Sequence, residues 1–378
     1  MREREAGALG GHSPRARLVR HFAPVGRCLL QAPTAAHLPS MDTMMPVLDV
    51  QGLIDDRVRA IARYHQATGI ERAELDVSGG VDSAAMLVLL CRALGPERVT
   101  AVYIDIHSAD EFAQRARAAA AEAGASLIEF DASQLFDDMH ESMLAALGAS
   151  GSDLAAVRER MANDRSVNGS IRSCLRAPIG RGFNRLSGGG VRHGTGNECE
   201  DRFIRFFQKG GDGEVDTNPI AMLSKGEVFQ LARGLGVPRS ILEAVPSPDL
   251  HAIGEEHTDE DELAASTGVH WTYSKVSADT GDYTYVGTIE RMARFLDEAP
   301  SLFADGLPDF ESLAAQAQVR CFPAELYKRQ TVHDLLVSAR KLEAGTRHKW
   351  NPNCPTLGER GELLGASLLT DELPLLVG

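Results

Sequence analysis

The chain has little of several features that would each point to a particular class of protein. Its six cysteines form no C-x-x-C pair and stand far apart, at Cys28, Cys91, Cys174, Cys199, Cys321 and Cys354. That scatter disfavours a zinc site or a disulfide framework and is typical of free thiols in a reducing cytoplasm. No apolar run approaches the length that crosses a membrane. Acidic residues outnumber basic ones, 53 to 39, which gives a formal net charge of −14. A chain this acidic is not expected to bind nucleic acid through its overall electrostatic field.

The composition that is present is that of an ordinary globular protein. The chain has 378 residues, of which 43% are hydrophobic, enough for one large domain or two with a real core. Residues 1–40 differ in character, because they are rich in arginine, proline and glycine and have no periodic apolar face. We expect them to be a disordered leader or to reflect a mis-called start, with the true start at Met41, Met44 or Met45.

The most informative stretch begins at Glu74 and reads as a short strand, a glycine turn and a buried helix. The turn is Ser78-Gly79-Gly80-Val81-Asp82-Ser83, and an almost wholly apolar run follows it. Glycines let a backbone approach a ligand closely, and the free amides of a helix N-terminus attract an anion. The turn therefore predicts a phosphate or pyrophosphate site. It is neither a Walker A loop nor a G-x-G-x-x-G fingerprint, because neither spacing is present.

Strand and helix patterns alternate on both sides of this turn. Residues 99–104 and 126–130 read as buried strands, while residues 47–68 and 109–123 read as helices. This alternation predicts an α/β fold: a doubly wound, Rossmann-like parallel sheet with helices on both faces and ligands at the carboxyl ends of the strands. We expect one domain over 41–265. Residues 266–378 are expected to be a lid-like insertion followed by a mainly helical extension packed on that domain.

Two further stretches carry charged groups suited to a phosphate site. A short strand ending near His193 precedes Thr195 and the acidic residues Glu198, Glu200 and Asp201. Such carboxylates commonly hold Mg²⁺ near phosphates, although a polar turn with Asn197 as an N-cap explains them equally well. Farther along, the capping box Ser224–Glu227 places Lys225 at a helix N-terminus, which disfavours a cation unless an anion lies there.

Other polar segments have an equally simple structural explanation. The glycine-rich stretch with Lys209, Asp212 and Asp216 is either a ligand loop or a plain turn. Arg172 lies in a helical segment for which Asn168 or Ser170 would be the N-cap, and an isolated arginine is more often a solvated residue than a phosphate ligand. The acidic run after Thr258 reads as the first turn of a capped helix. Residues 268–285 predict a loop or lid, and 286–298 and 324–343 predict helices.

Ser-Gly-Gly-Val-Asp-Ser resembles the pyrophosphate loop of the N-type ATP pyrophosphatases, which cleave ATP between its α- and β-phosphates. The motifs that follow resemble, in the same order, those of the ammonia-dependent NAD synthetase family. They are Asn168…Arg172, Gly-Thr-Gly-Asn…Glu, Lys-Gly-Gly-Asp-Gly-x-Val-Asp, Leu-Ser-Lys, Pro-Ser-Pro-Asp-Leu and Thr-Asp-Glu-Asp-Glu-Leu. The resemblance covers roughly residues 47–265, with a weaker echo at His348-Lys349.

The resemblance implies a reaction in which the carboxylate of deamido-NAD attacks ATP and ammonia then displaces AMP. It implies an ATP site at Ser78, Gly79, Gly80, Val81, Asp82, Ser83, Arg172, Thr195, Lys225 and Ser247. It also implies a Mg²⁺ site at Asp82 and Glu200, a substrate and ammonia side at Lys209, Asp212 and Asp216, and catalytic roles for Asp82, Lys225 and Asp212. A cytoplasmic homodimer is the implied assembly.

Several departures from the family pattern leave the acceptor open. Cys174 and Gly210 stand where the family has an arginine and an aromatic residue, and an extra residue before Lys209 allows Asp201 to replace Glu200 as the metal ligand. No glutaminase domain is evident, so ammonia is expected to be free or delivered by a partner. The alternatives are a related ligase that amidates another carboxylate and a nucleotide-binding protein that does not turn over. Intact Asp82, Glu200 and Lys225 count against the second alternative.

Overall fold

The architecture is taken from a computed structural model of the chain, which describes residues 48–164, 166–205, 207–247, 258–298, 309–346 and 349. The predictions for residues 1–40, for the segment after Ser247 and for His348 lie outside these ranges. No helix within them is long and apolar enough to cross a membrane.

A four-stranded parallel sheet organises the first part of the described chain. Its strands are β1 Ala73–Asp76, β2 Val99–Asp105, β3 Leu127–Asp131 and β4 Val191–Arg192. Their order across the sheet is β3-β2-β1-β4, and β1 pairs with both β2 and β4. The chain therefore proceeds from β1 towards one edge and later returns to the other side of β1. The carboxyl end of β1 is thus a switch point, where ligands bind in open α/β sheets.

Helices connect and cover these strands. They are α1 Val50–Thr68, α2 Val81–Leu94, α3 Asp110–Ala123, α4 Ser133–Ala149, α5 Leu154–Asn163 and α6 Ser166–Leu186, with a short 3-10 helix at Pro96–Arg98. The predicted doubly wound sheet is confirmed. Helix α2 is buried almost all round, between α1, α3 and α7 (Lys225–Leu235). Burial on every side explains why its sequence is apolar on every side.

The second half of the described chain is mainly helical. It contains a π-helix Glu198–Ile204, then α7, α8 Arg239–Leu242, α9 Asp259–Thr267, the hairpin β5 Lys275–Val276 and β6 Tyr283–Tyr285, and α10 Thr288–Glu298, α11 Phe310–Arg320 and α12 Arg329–Thr346. A second hydrophobic cluster joins the π-helix to α9–α12 around Trp271, Phe295 and Phe322. The indole N–H of Trp271 donates to Ser338 Oγ at 3.1 Å. This cluster includes Cys199, Phe203 and Ile204 of the π-helix and so packs that helix against the later helices.

Local signals in the sequence locate several helix ends correctly and fail at others. The capping boxes at Ser224 and Thr258 are both present. The prediction of an N-cap at Asn168 or Ser170 is wrong, because both residues lie inside α6. The loop or lid expected at 268–285 is in part a hairpin, and Trp271 is fully buried in the core. Helix α11 was not predicted.

Candidate active site

The turn after β1 has the geometry of an anion-binding loop. Gly79 has φ 84°, and a Cβ there would lie 2.5 Å from the carbonyl oxygen of Phe112, so only glycine fits. The hydroxyls of Ser78 and Ser83 lie 3.1 Å apart, and Ser83 donates to the Gly80 carbonyl at 3.0 Å. Gly80 caps α2 without any side-chain hydrogen bond. The first amides of α2 are therefore available to a ligand.

Lys225 lies beside this loop and brings two carboxylates together. Its Nζ donates to Asp82 Oδ2 and to Glu200 Oε1, both at 2.7 Å. Asn197 orients the group further, because its Nδ2 donates to Asp82 Oδ1 at 3.0 Å and its Oδ1 accepts from the Glu200 amide at 3.1 Å. The ring of Tyr273 lies 5.6 Å from the ammonium. The anions required by a lysine at a helix N-terminus are thus Asp82 and Glu200.

The protonation of this cluster is set by burial and by mutual attraction. Burial opposes the charged form of Lys225, but the carboxylates of Asp82 and Glu200 outweigh it and raise the pKa of the amine. Burial also raises the pKa of Glu200. A third acid, Asp259, is nearby, and burial together with the Glu200 carboxylate raises its pKa to about 7. Three acids thus surround one base, so an additional cation would be favourable here.

The loop and the lysine cluster open into one cleft of about 520 Å³. Many of the predicted site residues line it: Ser78, Gly79, Gly80, Val81, Asp82, Thr195, Glu200, Asp212, Lys225 and Ser247. Ser83 is buried behind the loop. The structure therefore brings together the predicted phosphate and metal residues at the carboxyl end of β1.

Besides Ser83, three of the predicted residues are not among those that line the cleft. Arg172 is buried, and its guanidinium donates to the Ile106 carbonyl. Lys209 is exposed in the turn before Gly210. Asp216 accepts two bonds from Arg181, both at 2.9 Å, and one from the Arg192 amide at 2.7 Å. Their predicted ligand roles remain predictions.

Asp212 lines the cleft but is also held by hydrogen bonds to protein groups. It lines the cleft, yet its Oδ1 accepts bonds from Ser173 Oγ at 2.9 Å and from the Gln208 amide at 2.8 Å. Those bonds hold the carboxylate in one orientation. Its other oxygen has no hydrogen bond from the described residues.

The donor set fits Mg²⁺, which takes one or two carboxylates and completes its shell with waters and substrate phosphates. One oxygen of Asp82 and one of Glu200 each lie 2.7 Å from the Lys225 ammonium, so the two carboxylates lie side by side next to the loop. Asp201, the alternative ligand, accepts from Asn218 at 2.9 Å and does not line the cleft. Within the described ranges, no group of three or more His, Cys, Asp or Glu side chains could enclose a metal. The arrangement therefore fits a cation shared with phosphate oxygens, with Glu200 as the second carboxylate.

Several cleft residues were not predicted from the sequence as site residues. They are Asp76, Arg115, Arg176, Asp259 and Lys349. Asp259 belongs to an acidic run that the sequence analysis interpreted as the first turn of a capped helix. Arg115 stood in an alanine-rich helix with no motif around it. Only the packing of α3 and α9 around the cleft identifies these two.

A glycine loop at a sheet switch point, facing a lysine held by two carboxylates, defines an α/β protein of the PP-loop type. The model of the NAD synthase family matches residues 53–270, which is more than half of the chain. The chain therefore belongs to the NAD synthase family.

Individual relatives agree with this assignment. The chain is 33% identical over 223 residues to the NH(3)-dependent NAD(+) synthetase of Methanococcoides burtonii, covering 59% of this chain and 76% of that protein. It is 34% identical over 222 residues to the enzyme of the same name from Archaeoglobus fulgidus, covering 56% and 77%.

Two solved structures share the fold. The NMN synthetase of Francisella tularensis has a TM-score of 0.55 at 20% identity, over 81% of this chain and all of that one. A glutamine-dependent NAD(+) synthetase from Cytophaga hutchinsonii has a TM-score of 0.57 at 13% identity, over 81% and 50%. At these identities the likeness concerns architecture alone.

Proposed function

We propose that this protein is an ATP-dependent amide-forming ligase that converts deamido-NAD and ammonia to NAD. The observation that carries the proposal is the cluster of Lys225, Asp82 and Glu200 beside a phosphate loop at the switch point of the sheet. The names of the relatives above supply the product, NAD(+), and the nitrogen source, NH(3), and deamido-NAD is the acceptor that the family resemblance implies.

The reaction needs no nucleophilic side chain. A carboxylate oxygen of the substrate attacks the α-phosphorus of ATP, the bond to the bridging oxygen of the β-phosphate breaks, and pyrophosphate leaves. Ammonia then attacks the acyl carbon of the adenylate, AMP leaves with the original carboxylate oxygen, and the nitrogen loses a proton. Charge builds up on phosphate oxygens in the first step, so catalysis requires fixed donors and cations around them.

The residues of the cleft suit that requirement. The first amides of α2 would bind the departing phosphates, and Lys225 would neutralise developing charge. Asp82 and Glu200 would hold Mg²⁺, which supplies Lewis-acid stabilisation of the phosphoryl oxygens when bound. Asp212, held by Ser173 and the Gln208 amide, would accept a hydrogen bond from the incoming nitrogen.

A related ligase that amidates another carboxylate is the second candidate. It is favoured by one observation: Gly210, which stands where the family resemblance implies an aromatic residue, is exposed in the turn after Lys209, and a Cβ there would meet nothing within 4 Å. The ring that the resemblance implies on the acceptor side is therefore absent from this chain. The nucleotide-binding protein without turnover is disfavoured, because it would have no need for buried, mutually paired charges in the cleft.

A cytoplasmic homodimer remains part of the proposal. It is supported by the family resemblance and by the free thiols of Cys91, Cys174, Cys199 and Cys321. Sedimentation of the full chain tests the dimer.

Product analysis tests the reaction. The full chain is incubated with ATP, Mg²⁺, ammonium and either deamido-NAD or the corresponding mononucleotide carboxylate, which lacks the adenylate half. We expect AMP, pyrophosphate and NAD in equal amounts with deamido-NAD. Amide formation only with the mononucleotide would select the second candidate, and ADP as the nucleotide product would contradict both.

A further inference from the structure

Arg115 lies against the phosphate loop although it belongs to a different element. It is on α3, and that helix approaches the loop so closely that a Cβ at Gly79 would lie 2.5 Å from the Phe112 carbonyl oxygen. Arg115 Nε donates to the Gly79 carbonyl at 3.2 Å. The centre of its guanidinium lies 4.6 Å from the centroid of the Phe112 ring. The hydrogen bond and the ring together fix the plane of the guanidinium.

The outer half of this guanidinium is available to a ligand. Arg115 lines the cleft, and within the described residues its two Nη groups donate to no protein atom. By contrast, Arg117, two residues along the same helix, is bonded by Nε and Nη2 to the exposed carboxylate of Glu129. The free donors of Arg115 are therefore a feature of its position beside the loop.

Charge balance favours a cation at this position, in addition to Arg176 and Lys349, which also line the cleft. Lys225, the cation nearest to Asp82, already neutralises two carboxylates at 2.7 Å, and Asp259 adds a further acid to the cleft. The loop itself offers amide dipoles but no positive side chain. A pyrophosphate carries several negative charges and is bound best by full charges combined with directed donors.

We infer that Arg115 is a binding residue for the pyrophosphate leaving group, its Nη donors contacting the β- and γ-phosphates of ATP while its Nε holds the loop. The inference rests on the proposed function, because it assigns a residue to the same ATP site. As the bond between the α-phosphorus and the bridging oxygen breaks, the electron pair passes to that oxygen of pyrophosphate. A guanidinium next to the loop stabilises the charge at that point.

Direct binding of two ligands tests the inference. Calorimetric titration with magnesium pyrophosphate and, separately, with AMP is carried out on the full chain and on Arg115→Gln, Arg115→Lys and Arg117→Gln. We expect Arg115→Gln to weaken pyrophosphate binding at least about tenfold and AMP binding less than about twofold. Arg115→Lys should recover part of the loss, and Arg117→Gln should match the wild type.

Three outcomes would overturn the inference. They are unchanged pyrophosphate affinity in Arg115→Gln, no pyrophosphate binding by the wild type, and equal weakening of both ligands with a lower melting temperature. The last would show that Arg115 only supports the loop through Gly79. Product analysis separates this test from the proposed function: AMP formation with unaltered pyrophosphate affinity in Arg115→Gln rejects the inference alone. Pyrophosphate binding through Arg115 without AMP formation rejects the proposed function alone.

Discussion

We propose that the cleft has a phosphate end and an acceptor end, and the residues assigned to the two ends are held differently. At the proposed phosphate end, the Lys225 ammonium bonds to the carboxylates of Asp82 and Glu200, and all three residues line the cleft. Of the residues proposed for the acceptor end, Asp216 does not line the cleft, and its carboxylate accepts hydrogen bonds from Arg181 and from the Arg192 amide. Asp212 stays in the lining but is held by Ser173.

The difference reflects what each end has to recognise. A triphosphate and its metal need a loop of free amides and a small set of charges, and these requirements are the same in any ATP pyrophosphatase. An acceptor site needs a shape that matches one substrate, so its residues differ between proteins that share the first half of the reaction. The predictions below test this division, from the largest expected effect to the smallest.

Replacing Lys225 should have the largest effect. Lys225→Met leaves the partly buried carboxylates of Asp82 and Glu200 without their cation and removes a charge from the phosphate end. We expect kcat/KM for AMP formation to fall by about 10³-fold or more. Lys275→Met, at an exposed position on β5, is the control and should keep wild-type rates. A decrease of less than tenfold in Lys225→Met would mean that the cluster is only structural.

Replacing Asp212 should affect the nitrogen more than ATP. Asp212→Asn keeps the shape of the side chain, so the contacts to Ser173 and Gln208 can be partly retained while the negative charge is lost. We expect KM for ammonium to rise by about tenfold or more, with KM for ATP changed less than about twofold. Steady-state kinetics with each substrate varied in turn provide the measurement. A matched increase in both KM values would count against a division of the cleft into two ends.

Replacing Asp216 should lower stability more than activity. Asp216→Asn loses one charged partner of Arg181 and weakens the bond to the Arg192 amide. We expect a loss of about 1–2 kcal/mol in the free energy of unfolding, measured by denaturant titration, and a change of less than about threefold in KM for deamido-NAD. A large KM change at unaltered stability would instead support the substrate-binding role that the sequence suggests.

A smaller effect should come from a buried pair of histidines, one on α1 and one directly after β4. His65 Nε2 and His193 Nε2 lie 2.9 Å apart, and His193 precedes the glycine turn at Thr195. Burial, followed by repulsion from His65, lowers the pKa of His193 to about 3. Burial likewise lowers the pKa of His65. The unfolded chain therefore binds protons near pH 6.5 that the folded chain does not.

Because the unfolded chain binds more protons, the free energy of unfolding should rise with pH in this range. The stability that the pair contributes is complete above pH 6.5 and is lost as the pH falls below that value. The expected slope is up to about 1.4 kcal/mol per pH unit for each histidine. Unfolding titrations at pH 7.5, 6.5 and 5.5 should show a shallower slope for His193→Gln than for the wild type. His270→Gln, at an exposed position, is the control for the loss of a histidine.

The sequence predicts best those features that depend on neighbouring residues. The strand before Ser78, the glycine turn, the apolar helix and the capping box at Ser224 were all identified from local patterns, because each is stabilised within a few residues. Lys225 at a helix N-terminus already indicated a nearby anion, and Asp82 with Glu200 confirms that.

Features that depend on distant packing were not predictable in this way. Glu200 lies on the π-helix Glu198–Ile204, against which the second hydrophobic cluster packs. A π-helix has one more residue per hydrogen-bonded turn than an α-helix, and no local sequence pattern predicts that extra residue. Asp259 and Arg115 reach the cleft only because α9 and α3 end up beside it. The start of α6 was misplaced because a cap residue inside a helix looks the same in sequence as one at its end.

Isotope transfer tests the central claim, adenylation of the acceptor carboxylate, most directly. Deamido-NAD labelled with ¹⁸O in its carboxylate is converted with ATP, Mg²⁺ and ammonium, and the nucleotide product is analysed by mass spectrometry. If the carboxylate attacks the α-phosphorus, each AMP formed must contain one ¹⁸O, and the pyrophosphate must contain none. Release of ADP with ¹⁸O in inorganic phosphate would show attack at the γ-phosphorus and would contradict the account.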